Sequence, residues 1–238
     1  IGRLNLVTLS KIFFTCLLGF ILAGCGEGPT PRLIDLVGKE AFEYKNPHSE
    51  NGLWIGVPKI GLMVHSDATA QNAAPAILSK YLEMLTRRTE EFLRQRCSLQ
   101  EVVTVSPLSG LVPFSQDLKV QVQRLPLPYL IVVVFSSREK VGPEKIGEAT
   151  MMTQMGGTVM ENFAMAEVGI LRVSDFKMVY WAPGWGTESV EQLDVPIGTN
   201  RPSPADARDI VRARAGQHAL DRGLERLGSV CQSGRQDG

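Results

Sequence analysis

The chain has almost no net charge, few histidines and no recognisable catalytic motif. Its 25 basic residues balance 25 acidic residues, whereas binding to nucleic acid needs a concentrated basic surface. The three histidines have no metal-ligand spacing among them, so no metal site is expected. Gly-x-Ser-x-Gly, Walker and His-Glu-x-x-His motifs are all missing from the sequence, so we expect no catalytic residues, no cofactor and no enzymatic activity.

The N-terminus has the layout of an exported protein. Two basic residues, Arg3 and Lys11, precede an apolar run at 12–22 that is too short for a permanent membrane span. The following Leu22-Ala-Gly-Cys25 resembles a bacterial lipobox, in which the cysteine is lipidated after cleavage. We therefore predict a cleaved signal peptide at 1–24 and a lipid anchor on Cys25. Gly26 resembles the outer-membrane sorting signal, which predicts a periplasm-facing protein held at the outer membrane.

Processing would leave two cysteines available for a bridge. Cys16 would be lost with the signal peptide and Cys25 would carry lipid, which leaves Cys97 and Cys231. An oxidising compartment favours a disulfide between them. Each follows a predicted helix, and closing so long a loop contributes roughly 4–5 kcal/mol in the chain-entropy model.

The mature chain would keep 23 basic and 25 acidic residues, a net charge of −2, which disfavours electrostatic adhesion to anionic lipid as its main membrane contact.

Apolar runs predict the strands of one domain. Residues 60–65 and 101–105 are short strands, and the β-branched run at 129–135 predicts a central strand buried on both faces. The runs at 166–173 and 176–181 flank Ser174-Asp175 and predict a β-hairpin. Leu33, Ile34, Leu36 and Val37 could form either a short helix or a strand.

Two long helices are predicted from helical periodicity. The first extends from Asn72 to Arg96, with Pro75 in its first turn. The second is capped by Ser203 and stopped by Gly228. The fold class is therefore α/β (α+β), a mixed sheet of about five strands with two main helices on one face. The predicted division is a tether at 25–54, one domain at 55–231 and a tail at 232–238.

Candidate contact residues lie in a methionine-rich segment and beside a pair of tryptophans. Met151, Met152 and Met155 suit a tolerant partner surface, although thioethers are also Cu(I) ligands. The segment at 148–166 could be ordinary packed structure, a lid, a partner interface or an excursion that inserts into a membrane or an oligomer. In Trp181-Ala-Pro-Gly-Trp185-Gly, which reads as a rigid turn, Trp181 is predicted to lie in the core. Trp185 could be either structural or an exposed partner contact.

Three short segments resemble a group of periplasmic lipoproteins. They are Leu33-Ile-Asp-Leu36, Val103-Thr-Val-Ser-Pro107 and Ala182-Pro-Gly184. The group is similar to the N-terminal domain of the translocation protein TolB. It includes the curli-secretion channel lipoprotein, the outer-membrane activators of penicillin-binding proteins and the rhombotarget lipoproteins.

The resemblance implies a TolB N-terminal-domain-like fold and supplies no catalytic residue. We accordingly expect a lipid-anchored module that binds another envelope protein. The alternative is an oligomeric component of an envelope assembly or secretion channel, and copper carriage is a weaker one.

Overall fold

The structure, a computed structural model, describes five parts of the chain: residues 28–42, 57–105, 116–143, 157–193 and 204–233. Within them, five strands form one mixed sheet. The strands are β1 (Lys59–Asp67), β2 (Glu101–Thr104), β3 (Tyr129–Pro143), β4 (Gly157–Arg172) and β5 (Lys177–Leu193). Their spatial order is β2-β1-β3-β4-β5. Strand β1 runs parallel to β2 and β3, and the β3–β4 and β4–β5 pairs are antiparallel. The predicted mixed sheet of five strands is confirmed.

The helices cover both faces of this sheet. They are α1 (Leu33–Val37), α2 (Lys39–Phe42), α3 (Ser79–Arg96), α4 (Gln116–Gln123) and α5 (Pro204–Ser233). The two long helices, α3 and α5, enclose the larger core on one face, as predicted. The short helices α1, α2 and α4 pack against the other face around a second core. Residues 33–37 are therefore helical, one of the two alternatives that the sequence left open.

Strand β3 is the third of the five strands, and the run from Leu130 to Phe135 is almost completely buried. Its odd-numbered side chains contribute to the core beneath α3 and α5, and its even-numbered ones to the core beneath α1 and α4. The absence of polar alternation in this stretch follows from the two covered faces. The predicted hairpin is also present, with a turn at 173–176, but β4 is about twice and β5 nearly three times as long as expected.

Helix α3 begins at Ser79, so the predicted start near Asn72 is wrong. Tertiary hydrogen bonds hold the preceding segment out of a helix. The Ala74 amide donates to the Ser137 carbonyl at 2.8 Å, and the Ile77 amide donates to Ser66 Oγ at 2.9 Å. Because these two amides are bonded to strands of the fold, they are not available for hydrogen bonds within a helix, and α3 starts only after Ile77.

Gly228 does not stop α5, which continues to Ser233. A side chain at this position would lie only 2.9 Å from the Phe92 ring, so the glycine gives α3 room to approach α5. The last turn then carries Cys231 to Cys97, and the structure joins them in the predicted disulfide across 134 residues. The proposed cap, Ser203, lies outside the described residues.

Candidate functional site: the tether-docking face

The chain enters the fold five residues after Cys25. The Thr30 carbonyl accepts a hydrogen bond from Ser136 Oγ of β3 at 3.0 Å. The backbone amides of Arg32 and Leu33 then donate to Glu167 Oε2 of β4, the Leu33 bond being 2.8 Å long. We call the sheet face that receives residues 28–42 the tether-docking face; it is the face opposite α3 and α5.

Glu167 receives the N-terminus of α1. Only 1% of this residue is exposed. Its carboxylate accepts the amides of Arg32, the N-cap residue, and of Leu33, the first residue of a helix that lacks a side-chain cap of its own. Its other oxygen accepts the indole N–H of Trp181 at 3.1 Å. Burial raises the pKa of Glu167, although the Leu33 and Arg32 amides and the Trp181 indole act in the opposite direction.

A glycine on the same strand fixes the depth of α1. A Cβ at Gly169 would lie 2.7 Å from Leu33 Cδ2 and 2.9 Å from Met178 Sδ. Leu33 occupies this space and is fully buried. The start of α1 is thus held both by hydrogen bonds to Glu167 and by close packing on β4.

A charged cluster lies beside this contact, at the carboxyl end of β1. Arg32 contacts Asp35 at 2.5 Å, Asp67 at 3.3 Å and Thr69 Oγ1 at 2.6 Å. Burial of Asp67 opposes its ionisation, but the Thr69 amide and hydroxyl and the Arg32 guanidinium outweigh that effect and lower its pKa. These contacts tie the residue before α1 to the end of a central strand.

Trp181 is not a core residue, contrary to the sequence prediction. The segment 181–186 is not a turn but the middle of β5. Ala182 belongs to the core beneath α5, so alternation along the strand directs Trp181 and Trp185 to the opposite, tether-docking face. Their exposed fractions are 40% and 45%. Trp181 also makes an edge-to-face contact with Phe42 at 6.5 Å.

Two glycines in β5 let α5 approach the strand closely. A Cβ at Gly184 would lie 2.1 Å from the Ala219 carbonyl oxygen, and one at Gly186 would lie 2.3 Å from that of Ala215. No side chain fits at these distances. The close approach explains why a glycine stands on each side of Trp185.

Side chains of α5 also cover the outer edge of β5, which pairs with no further strand among the described residues. Three outward-facing carbonyls, at alternate positions of the strand, each meet a side chain from successive turns of the helix. The contacts are Arg226 Nη1 to Pro183 O at 2.7 Å, Arg222 Nη1 to Trp185 O at 2.7 Å, and His218 Nδ1 to Thr187 O at 3.3 Å. The Arg226 guanidinium lies 5.5 Å from the Trp185 ring centre, in cation–π range.

Shallow grooves lie on the opposite side of the molecule, along α3. A groove of about 360 Å³ between α3 and α5 is lined by Lys80, Met84 and Glu91, among others. It is bounded by a bidentate ion pair between Arg88 and Asp221 at 2.6 and 2.9 Å. Met84 is 45% exposed. We call the outward surface of α3 and α5 the helix face.

The structure reaches only some of the predicted site residues. Cys25, Met151, Met152 and Met155 lie outside the described residues. Two later methionines of the segment, Met160 and Met165, are buried in β4. Among the described residues, no three His, Cys, Asp or Glu side chains come together as metal ligands.

Sequence reasoning missed the docking residues Arg32, Asp67 and Glu167. The available signal was a single acidic residue inside an apolar run, Ala166-Glu-Val-Gly-Ile170. A charge in a buried strand needs partners, and here the partners come from a segment more than a hundred residues away.

No helix within the described ranges is long and apolar enough to cross a bilayer.

No protein-family model matches the chain, and no curated protein is similar to it in sequence. Solved structures similar to it include a hypothetical protein from Chlamydia trachomatis (13% identity, 74% of this chain and 99% of that one, TM-score 0.36). They also include a minor lipoprotein from Acinetobacter baumannii (8% identity, 75% and 92%, TM-score 0.31). A third is the dodecameric PelC from Paraburkholderia phytofirmans (9% identity, 69% and 88%, TM-score 0.27).

Proposed function

We propose that this protein is a bacterial envelope lipoprotein that acts without catalysis, as an anchored module that binds another envelope protein. In this proposal Cys25 carries the lipid and the domain faces the periplasm from the outer membrane. The resemblance to the TolB N-terminal-domain-like lipoproteins, noted in the sequence, points to the same class of protein.

The observation that carries the proposal is the early docking of the chain. The backbone is fixed to the sheet at Thr30, Arg32 and Leu33, directly after a sequence with the layout of a lipobox. Thr30 is the fifth residue after Cys25, so the chain between them spans at most about 18 Å. The fold therefore begins where a short lipid tether would end, and an anchored domain would stay close to the bilayer.

The helix face supports the binding part of the proposal. It lies on the side of the sheet away from the tether, so anchoring would leave it accessible. Its grooves combine charges of both signs with the exposed Met84 side chain, a mixture that suits contact with a protein surface. We therefore place the protein partner on this side.

Replacing the lipidated residue tests the anchor. The Cys25→Ser variant should move from the membrane fraction to the soluble periplasm, and mass spectrometry of the wild type should show a cleaved leader and a fatty acyl group on Cys25. Retention of the variant in the membrane fraction would contradict the proposed anchor.

Cross-linking in native envelopes tests the partner. We expect wild-type protein to capture one dominant envelope protein, and the Met84→Asp variant to lose it. Val120→Asp is the matched control, because Val120 of α4 is 43% exposed on the other side of the sheet. Equal capture by both variants would rule out the helix face as the binding surface. Capture of further copies of this chain alone would instead indicate the assembly-component alternative.

A further inference from the structure

The tether and the two exposed tryptophans share one face of the sheet. Ser136, which holds Thr30, is paired with Met165 of β4, and Met165 is paired with Trp185 of β5. Residues in such a cross-strand row point to the same side of an antiparallel sheet. Trp185 is two strand spacings from the tether contact, which is about 10 Å.

This placement limits how far Trp185 can be from the lipid. The chain allows Cys25 to be at most about 18 Å from Thr30, and Ser136, which holds Thr30, is about 10 Å from Trp185 across the sheet. The distances are small enough for the tether-docking face to rest against the leaflet that holds the acyl chains. The helix face would then point into the compartment.

The two side chains have the chemistry of a membrane interface. Tryptophan is enriched at the headgroup level of bilayers, where its large ring and single donor are both accommodated. The Trp181 indole N–H is already bonded to Glu167, so its ring can leave water without an unsatisfied donor. Beside Trp185, Arg226 and Arg222 are exposed at the β5 edge, and guanidinium groups suit contact with phosphates.

From this geometry we infer that Trp181 and Trp185 insert into the headgroup region of the bilayer that holds Cys25, and so fix the orientation of the domain on the membrane. The inference rests on the proposed anchor and extends it. It requires no strong basic patch, since the contact comes from aromatic rings, in keeping with a mature chain that has almost no net charge.

Fluorescence quenching of the lipidated full-length protein in phosphatidylcholine vesicles tests the orientation. The vesicles contain a spin-labelled lipid with its nitroxide near the headgroup. Trp54 is replaced by Phe in every sample, so that Trp181 or Trp185 is the single emitter after replacement of the other by Phe. A Met84→Trp variant without the three native tryptophans is the control, because Met84 and Trp185 have the same 45% exposure on opposite sides of the sheet.

We expect lipid quenching at Trp185 to be at least about twofold stronger than at position 84, and quenching by aqueous acrylamide to show the reverse order. Trp181 should behave like Trp185. Equal lipid quenching at positions 84 and 185 would overturn the inference. A Trp185→Ala variant that loses the cross-linked protein while Trp185 shows no lipid quenching would assign the ring to a protein partner instead.

The acyl group is measured by mass spectrometry on the same samples. An acylated, vesicle-bound protein without tryptophan quenching would refute the orientation and leave the anchor intact. A protein without the acyl group would refute the proposed anchor, and the orientation built on it as well.

Discussion

Removing the Glu167 carboxylate should release α1 from the sheet. Glu167→Ala leaves the Arg32 and Leu33 amides without an acceptor, and Leu33 is fully buried. A buried donor that loses its partner costs about 1–3 kcal/mol, so two of them destabilise the docked helix by about 3 kcal/mol. This corresponds to a roughly 100-fold increase in the opening equilibrium of residues 32–37.

Hydrogen exchange measured by mass spectrometry on the 28–42 segment is the direct assay. Glu161→Ala is the matched control, because Glu161 lies six residues earlier on the same strand and face but is partly exposed. We expect faster exchange in 28–42 for Glu167→Ala only, with β3 remaining protected in both variants. Unchanged exchange of the Arg32 and Leu33 amides in Glu167→Ala would refute the idea that this carboxylate holds the helix.

The pH dependence of Glu167 gives a second readout of the same site. Because burial raises its pKa above the ordinary 4.5, the folded state holds this proton more tightly than the unfolded state. The stabilisation of the fold by this Glu167 proton is complete below the pKa that Glu167 has in the unfolded state. It is lost as the pH rises through the pKa that Glu167 has in the folded state. The free energy of unfolding of wild type relative to Glu167→Gln should therefore decrease across that interval. A difference that is constant with pH would contradict the raised pKa.

Three further predictions concern stability. In urea unfolding, Cys97→Ser should lower the free energy of unfolding by about 5 kcal/mol, the chain-entropy value for a loop of this length. Reductant added to this variant should not lower its free energy of unfolding further. Gly184→Ala should destabilise the fold by about 2 kcal/mol or more, because its Cβ would overlap the Ala219 carbonyl, whereas Gly28→Ala, with nothing within 4 Å, should have no effect in the same assay. Asp67 has a lowered pKa in the folded state, so its contribution to the free energy of unfolding is complete above its ordinary pKa of 3.8 and is lost as the pH falls through the folded-state pKa. The difference in free energy of unfolding between wild type and Asp67→Asn should therefore shrink on acidification. A difference that does not change with pH would refute the lowered pKa.

The sequence predicted those elements whose signal is local. The run at 129–135 marks a doubly buried strand because it is continuously hydrophobic, without polar alternation. The Ser174-Asp175 pair marks the hairpin because a turn must separate two adjacent apolar runs. These patterns depend on neighbours in the chain, so they could be interpreted without knowing the fold.

Errors arose where distant groups decide the local structure. Pro75 suits a first helical turn, yet Ser66 and Ser137 bind the surrounding backbone and delay the helix to Ser79. Gly228 resembles a helix stop, but the Phe92 ring fills the space that it leaves.

The candidate site was the part least accessible to sequence analysis. Trp181 was assigned to the core because the strand that contains it was expected to end there, whereas β5 continues to Leu193. Glu167 obtains its role from amides of residues 32 and 33, which no periodicity connects to β4. A site formed by one early segment and one late strand becomes visible only when both are placed in space.

The arginine-covered border of β5 has a consequence for crowding. Under the proposed anchoring, copies of the chain would share one membrane surface and meet often. A strand border that is unpaired, as this one is among the described residues, invites neighbouring copies to join sheets. Guanidinium groups on the Pro183 and Trp185 carbonyls occupy the acceptors that such a joining strand would need. Helix α5 thus protects the outer edge of β5 from pairing with strands of other chains. Gly184 and Gly186 of β5 let the helix lie close enough for its arginines to reach these carbonyls.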